Sequence, residues 1–223
     1  MEVHKTKRRV GRPSLDHGAQ QKIRRKIIEI AKALFAENGI EAVSMRKIAA
    51  KAGFSQRLPY SYFKNKQAIL RYVWEDFFVA LFNDCNKAVR HVVGAHDRLE
   101  VFLRAYVEYW FNHQDQYELV FLEKDQIGSP NDQYYVEEFG VVGRYDTIRE
   151  LVEAGMAENT IKKGDPVLYG QVLLTSLHGL LHCLITVNEY PWEPKEKLID
   201  TTLEFIFAGM RPSSQQLTST LME

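Results

Sequence analysis

The chain has 223 residues, of which 45% are hydrophobic and 26% are charged, so it is long enough for one large domain or for a small and a medium domain, each with a core. This balance excludes a disordered or fibrous chain. The formal net charge is zero, which taken alone argues against a nucleic-acid or membrane partner, because binding to a polyanion requires a basic surface.

Charged and aromatic residues are divided unevenly along the chain. Residues 1–71 contain 17 Lys and Arg against 5 Asp and Glu, a net charge of +12, whereas residues 72–223 have a net charge of −12. Of the 26 aromatic residues, 21 follow residue 71. The sequence therefore predicts two modules with different partners, and the acidic module has the rings for an apolar cavity or a large buried interface.

Cysteine usage and apolar runs indicate a cytoplasmic protein. Cys85 and Cys183 each lie in an apolar helical context, which is typical of reduced core thiols. No apolar stretch follows the charged N-terminus, so we expect no secretory signal. Residues 167–187 are mostly apolar but include polar side chains such as His178 and His182, which favours a buried interface helix over a membrane span.

Apolar residues recur at helical spacing along nearly the whole chain, which predicts an all-α fold of about nine helices. The first helix is expected over 20–38 and is stopped by Gly39. The second begins after Ser44, a good N-cap, and ends at Gly53. A three-residue turn then leads into a short third helix that ends near Tyr62.

A long fourth helix, from Asn65 to about Val93, is expected to link two domains. Turn signals separate five further helices, predicted at about 97–112, 115–126, 133–157, 166–187 and 195–209.

The second and third helices with their glycine-containing turn have the pattern that places a helix in the major groove of DNA. Gln56 and Arg57 would lie in the first turn of the third helix, where Gln suits adenine and Arg suits guanine. Hydroxyls and cations suited to phosphates surround them, namely Ser44, Arg46, Tyr60, Tyr62, Lys64 and Lys66. The alternative is a plain helical hairpin with a solvated charged face.

The stretch from Ile27 through Leu70, IIEIAKALFAENGIEAVSMRKIAAKAGFSQRLPYSYFKNKQAIL, strongly resembles the N-terminal domain of the TetR/AcrR transcription regulators. The residues that match the family pattern are Phe35, Gly39, Arg46, Ile48, Ala49, Gly53, Ser55, Tyr60, Tyr62, Phe63 and Lys66.

The resemblance implies particular roles for these positions. It implies that Arg46 contacts bases or phosphate, that Gln56 and Arg57 contact bases, and that Tyr60 packs on the DNA backbone. Ser44 and Lys66 resemble further phosphate anchors. The residues expected in the small core are Ile48, Ala49, Phe54 and Phe63.

Pro59 departs from the family pattern. Proline is tolerated in a first helical turn but disfavours the α conformation at the preceding Leu58. The third helix is therefore expected to start late, which puts the base contacts of Gln56 and Arg57 in question.

A basic arm precedes the first helix and includes Arg8, Arg9 and Arg12. Such an arm can follow phosphates or lie in an A·T-rich minor groove. The alternative is a solvated tail that adds only non-specific attraction.

One helix-turn-helix unit meets only half of a palindromic operator, so a homodimer is expected. Its interface is predicted on the last two helices, about 166–187 and 195–209, which is also the arrangement that the family resemblance implies. Small residues that allow close approach are Gly170, Ser176 and Gly179, and the apolar residues on the final helix are Leu198, Leu203, Phe205 and Phe207.

A small, largely apolar or aromatic effector is expected in the acidic module. The predicted pocket residues are Tyr106, Trp110, His113, Tyr117, Phe121 and His178. His178 and His182 are four residues apart and could share a metal, although the sequence supplies no further ligand to complete a site. A metal-binding protein or helical enzyme, and a DNA-binding protein that senses no ligand, are the alternatives.

The predicted domains are a basic flexible arm over 1–19, a helix-turn-helix DNA-binding domain over 20–66, a ligand-binding and dimerisation domain over 67–211 and a mobile tail over 212–223. The predicted function is a transcription regulator without enzymatic activity, cofactor or membrane partner. We expect a repressor that an effector releases from operator DNA.

Overall fold

A computed structural model describes residues 17–122 and 141–212 of the chain. Over these ranges the secondary structure is helical and contains no strand, which confirms the predicted all-α class. The chain divides into two compact units, and the division falls between Val73 and Trp74. The basic arm with Arg8, Arg9 and Arg12 and the tail beyond residue 212 lie outside the described residues.

The first unit contains α1 (His17–Asn38), α2 (Met45–Ala52) and the first residues of α3 (Lys66–Ala88). Helix α1 begins at His17 rather than at residue 20, and its end agrees with the prediction because Gly39 adopts a positive φ of 73°. Helix α1 packs against α2. The residues that form this small core include Ile27, Ala31, Phe35, Ile48, Ala49 and Phe63.

Both ends of α2 are capped as the sequence predicts. The Ser44 hydroxyl accepts a hydrogen bond of 3.2 Å from the Lys47 backbone N–H, which satisfies one of the free donors of the first turn. Gly53 is left-handed, with a φ of 71°, and its N–H donates to backbone carbonyls of the last turn. These two caps limit α2 to eight residues.

The second unit contains the rest of α3 and a bundle in which α4 contacts α6 and α7, α6 contacts α7, and α7 contacts α8. Its elements are α4 (Ala95–Asn112), α5 (Gln114–Tyr117), a π-helical turn (Glu118–Leu122), α6 (Val141–Ala157), α7 (Pro166–Thr186) and α8 (Lys195–Met210). Buried aromatic and aliphatic side chains fill the bundle, among them Phe78, Phe82, Leu99, Phe102, Leu103, Ile148, Leu173, Leu177 and Leu203.

Two of the predicted helices differ in their bounds from the helices in the structure. Helix α3 ends at Ala88 rather than near Val93, because Val92 donates to the Val89 carbonyl in a tight turn. The helix predicted over 115–126 is replaced by α5 and the π-helical turn as far as Leu122. The other predicted residues, 123–126 and 133–140, lie outside the described residues.

Helix α7 is long and apolar enough to cross a membrane by length and composition, and 28% of its apolar window is buried inside the protein. Gly170 points inward, because a Cβ there would lie 3.8 Å from Ile148. The prediction that Gly170 lies on the dimer interface is therefore wrong.

On α8 the same correction applies to Leu203 and Phe207, which are buried in the bundle, whereas Phe205 is 72% exposed. Both inward-pointing side chains lie on the opposite face of the helix from Phe205.

Candidate nucleic-acid interface and effector cleft

The segment after α2, here called the recognition segment (Ser55–Tyr62), is wound more tightly than the α-helix that its position predicts. Leu58 N–H donates to the Ser55 carbonyl at 3.0 Å, and Ser61 N–H donates to the Leu58 carbonyl at 3.0 Å. A 3-10 helix covers Pro59–Ser61, which agrees with the expected late start. A short 3-10 turn is the tight form in which such brief segments occur.

The expectation that Leu58 avoids the α region is wrong. Its φ of −62° and ψ of −46° are right-handed helical values. The hydrogen bonds on both sides of Leu58 stabilise this conformation, and the proline nitrogen loses no bond because it has no hydrogen.

Most of the predicted DNA-contacting side chains are accessible. The exposed ones are Ser44, Arg46, Gln56, Arg57, Tyr60 and Lys64, and Tyr62 is half-buried. Tyr60 is 59% exposed, although aromatic rings are commonly buried in a domain of this size. The structure therefore leaves three cations, an amide, a hydroxyl and a phenol accessible on the surface of the first unit.

Lys66 has an intramolecular role that sequence reasoning missed. Its ammonium donates to the Ile40 carbonyl at 2.8 Å, and its side chain is only 19% exposed. This bond fixes the start of α3 to the loop that follows α1. Whether Lys66 also contacts phosphate stays a prediction.

Arg24 is a second stabilising cation that the sequence did not reveal. Its guanidinium carbon lies 4.3 Å from the ring centre of Tyr72 and 5.4 Å from that of Phe63. The two rings meet edge to face, with centres 5.6 Å apart. A cation over aromatic faces is attracted by their quadrupoles, so Arg24 joins α1 to the start of α3. The pairing joins residues far apart in sequence, and no local pattern signals it.

In the second unit a cleft of about 470 Å³ opens beside α5 and the π-helical turn. We call it the effector cleft. It is lined by Tyr117, Phe121, Leu122, His178, Gly179 and His182. Three of the predicted pocket residues therefore meet in one place, while Leu122, Gly179 and His182 were not predicted to line a pocket.

Behind the effector cleft a chain of hydrogen bonds joins three tyrosines to one histidine. Tyr145 and Tyr106 hydroxyls are 3.1 Å apart, and Tyr106 Oη is 2.8 Å from His178 Nε2. On the other side, Tyr117 Oη is 3.4 Å from His178 Nδ1 and 3.5 Å from the His178 carbonyl.

One arrangement of protons satisfies all of these contacts. Tyr117 donates to the His178 carbonyl and accepts from Nδ1–H, which leaves Nε2 free to accept from Tyr106. Tyr106 in turn accepts from Tyr145. His178 is then a neutral imidazole with its proton on Nδ1.

Burial keeps this chain uncharged at neutral pH. Desolvation lowers the pKa of His178 to about 4 and raises the pKa of Tyr117 to about 12, because removal from water disfavours the charged form of each group. His178 and Tyr117 are therefore uncharged near pH 7, and the polar contacts that they offer to the effector cleft are neutral hydrogen bonds.

The remaining predicted pocket residues lie elsewhere. Trp110 is fully buried and packs edge to face on Phe121 at 5.3 Å, so it supports the wall of the cleft from behind. His113 stacks on Tyr109 at 4.3 Å, and its Nδ1 contacts the Tyr109 carbonyl at 2.7 Å. The structure does not place His113 among the lining residues.

Two neighbouring residues of α3 are bonded to elements that form or support the effector cleft. The Trp74 indole N–H donates to the Leu119 carbonyl in the π-helical turn at 3.0 Å. The Glu75 carboxylate pairs with both terminal nitrogens of Arg144, one at 2.9 Å. Arg144 precedes Tyr145 on α6, so α3 is hydrogen-bonded to both sides of the tyrosine–histidine chain.

The paired histidines do not form a recognisable metal site. His178 is engaged by two tyrosines. Within 17–122 and 141–212, no group of three or more His, Cys, Asp or Glu side chains is placed to hold an ion. The described geometry therefore gives the metal-binding alternative no support.

The tandem of α2 and the recognition segment, with Arg46, Gln56 and Arg57 exposed on a strongly basic unit, defines a helix-turn-helix transcription regulator. The family profile described as "Bacterial regulatory proteins, tetR family" matches residues 27–73. This stretch is therefore similar to the DNA-binding domain of the TetR family of regulators.

Known proteins agree with this fold. The HTH-type transcriptional regulator YhgD of Bacillus subtilis is 23% identical over 174 residues, which cover 78% of this chain and 86% of that protein. A protein of unknown function from Rhodococcus sp. RHA1 superposes with a TM-score of 0.70 at 23% identity, over 84% of this chain and 95% of the other.

The transcriptional regulator FadR of Bacillus subtilis, solved in complex with stearoyl-CoA, superposes with a TM-score of 0.66 at 19% identity, over 84% of this chain and 99% of the other. At such identities these likenesses show the shared fold.

Proposed function

We propose that this chain is a repressor that binds a palindromic operator as a homodimer in the cytoplasm and that a small molecule in the effector cleft releases it. The observation that supports DNA binding most directly is the exposed group Arg46, Gln56 and Arg57 around α2 and the recognition segment. Arg46 meets phosphate or a base, and Gln56 and Arg57 contact base edges.

The dimer is proposed to form through α7 and α8. Helix α7 contains no Asp, Glu, Lys or Arg, and only 28% of its apolar window is buried within its own chain. Phe205 on α8 is 72% exposed, and a partner that covered it would remove this apolar ring from water. Two copies would then present two helix-turn-helix units to successive turns of one DNA face.

The effector is proposed to be a largely apolar or aromatic molecule. Tyr117, Phe121 and Leu122 supply apolar contact area in the effector cleft, and His178 and Tyr117 supply neutral hydrogen-bonding groups. The B. subtilis FadR structure contains stearoyl-CoA, so an acyl-CoA is one compound class to test here. An effector needs a coupling free energy of about 1 to 3 kcal/mol for a 5- to 150-fold change in DNA affinity.

Helix α3 offers a covalent route for this coupling. Its residues up to Val73 belong to the first unit and those from Trp74 to the second. Trp74 and Glu75 bond to the π-helical turn and to α6. A ligand that displaces the π-helical turn therefore acts on α3 through Trp74. A ligand that displaces His178 acts on α3 through Tyr106, Tyr145 and the neighbouring Arg144.

DNA binding is tested by fluorescence anisotropy on a duplex selected from a random-sequence pool. Arg46→Ala should weaken binding and reduce the slope of log affinity against log salt by about 0.9 if one phosphate contact is lost. Arg57→Ala should reduce the preference for the selected duplex by about 1 to 3 kcal/mol. Lys66→Ala is a poor choice because it also removes the bond to Ile40.

Lys87→Ala is the matched control, because Lys87 is an exposed cation of the second unit that pairs with Asp84. It should bind as the wild type does. Wild-type affinity, salt slope and sequence preference in both arginine variants would show that the assigned interface is wrong.

A further inference from the structure

The effector cleft and the exposed face of α7 share residues. Along α7 the exposed side chains recur at spacings of three and four, which places them on one face of the helix. We call this face the α7 stripe. Its members are Leu168, Val172, Thr175, Gly179, His182 and Thr186. Gly179 and His182 also line the effector cleft, so the cleft opens onto the α7 stripe.

The side of α7 next to the stripe forms the inner wall of the cleft. His178 is held there by Tyr106 at 2.8 Å and by Tyr117 at 3.4 Å. The other wall consists of Tyr117, Phe121 and Leu122, and Phe121 and Leu122 remain 37% and 38% exposed. Against the part of the chain that the structure describes, a ligand on these apolar groups would keep one side in water, whereas ligand sites bury most of the ligand surface.

The α7 stripe has the chemistry of a surface that meets a copy of itself. Because α7 contains no Asp, Glu, Lys or Arg, a two-fold axis along the stripe would not place two such identical charges against each other. A Cβ at Gly179 would have no atom within 4 Å, so this position is open on the outside of the monomer. A glycine there lets another helix backbone approach closely.

We infer that the effector cleft is half of a site, and that a second copy of this chain, paired along the α7 stripe, closes it over a neutral apolar or aromatic ligand. The inference rests on the proposed dimer and adds that the ligand site is incomplete in one protomer. Ligand binding and dimerisation are then linked. The ligand tightens the dimer by the same factor by which the dimer tightens ligand binding.

The test uses a monomer-forming variant whose mutated residue lies outside the cleft. Phe205→Glu places a charge on the exposed face of α8, and it should leave the monomer folded because Phe205 is 72% exposed. Glu204→Gln, at the exposed neighbouring position, is the matched control. The full-length variants are compared by sedimentation velocity and by circular dichroism.

The probe is prodan, a neutral aromatic ketone whose fluorescence reports the polarity around it. The wild type and Glu204→Gln should be dimers that bind prodan, and prodan should lower the dimer dissociation constant of the wild type. Folded, monomeric Phe205→Glu should bind prodan at least tenfold more weakly. Phe121→Ala, which removes a cleft wall, should also weaken binding in the dimer.

Each other outcome counts against the inference in a distinguishable way. If monomeric Phe205→Glu binds prodan as tightly as the wild type, the cleft is complete in one chain and the dimer proposal still stands. If Phe205→Glu and Val172→Glu are both dimers, the interface lies elsewhere and the proposed dimer fails as well. If prodan does not bind the wild type, or binds Phe121→Ala equally well, the neutral aromatic ligand class is wrong.

Discussion

His178 shows how burial sets the chemistry of a single side chain. The imidazole is surrounded by tyrosines that supply neutral hydrogen bonds, and none of its hydrogen-bond partners is a carboxylate that would stabilise a positive charge. Desolvation therefore determines its pKa, which falls to about 4. His178 consequently presents to the effector cleft a hydrogen-bonding edge without a charge at neutral pH.

This lowered pKa predicts a loss of stability in mild acid. The folded-state pKa of about 4 lies below the ordinary value of 6.5, so between these pH values the unfolded chain binds a proton that the folded chain does not. Stability falls as pH drops through 6.5 and continues to fall towards pH 4, by at most about 3 kcal/mol from this group. Urea unfolding at several pH values measures the loss.

The variant His178→Asn has no titrating ring, so its stability should change less over the same pH interval. His182→Asn, at an exposed position on the same helix, is the control and should follow the wild type. Equal pH dependence in wild type and His178→Asn would show that the imidazole is not desolvated as described.

Among the elements, α2 owes its length to local interactions. Ser44 and Gly53 cap its two ends, and Ile48 and Ala49 are fully buried against the rest of the first unit. The recognition segment that follows has weaker local support, because Pro59 removes a donor and the segment has only 3-10 winding. Gln56 and Arg57 are accessible to DNA because they lie on the surface, although the recognition segment does not form a long helix.

Two glycine-to-alanine changes should have opposite effects on stability. A Cβ at Gly53 meets no atom within 4 Å, yet its φ is +71°, so Gly53→Ala should cost about 1 kcal/mol through backbone strain alone. Gly143 in α6 also has open space around a Cβ and no positive φ. Gly143→Ala should therefore stabilise by roughly 0.5 to 1 kcal/mol.

Both changes are measured by urea unfolding followed by circular dichroism at 222 nm. Gly53→Asn is a useful third variant, because asparagine tolerates the left-handed region better than alanine and should cost less. If Gly53→Ala left the free energy of unfolding unchanged, the left-handed cap would not form as described.

The two parts of the 223-residue chain carry opposite net charges of equal size, +12 over residues 1–71 and −12 over residues 72–223. The net charge is zero, which gives no long-range repulsion between molecules near pH 7. The basic unit of one molecule can instead attract the acidic unit of another. This attraction competes with DNA for the same basic surface.

Salt should therefore have opposite effects on two properties. Raising NaCl from about 50 to about 300 mM shortens the screening length, so it should increase the second virial coefficient of the free protein, measured by static light scattering at pH 7. The same change should weaken DNA binding, because counterion release contributes less at high salt. A virial coefficient that falls or stays constant would show that attraction between the two charged parts is negligible.

The amino-acid sequence by itself determined the helical class, the caps of α2, the accessible polar group at Arg46, Gln56 and Arg57, and the charge division, because each depends on local spacing, a capping side chain or simple composition. The tertiary structure alone decided which distant side chains meet. It brought Tyr106 and Tyr117 to His178, placed His113 on Tyr109 instead, and bound Lys66 to the Ile40 carbonyl. Such contacts depend on how helices pack against one another, and helical periodicity specifies the buried face of a helix but not its partner across the core.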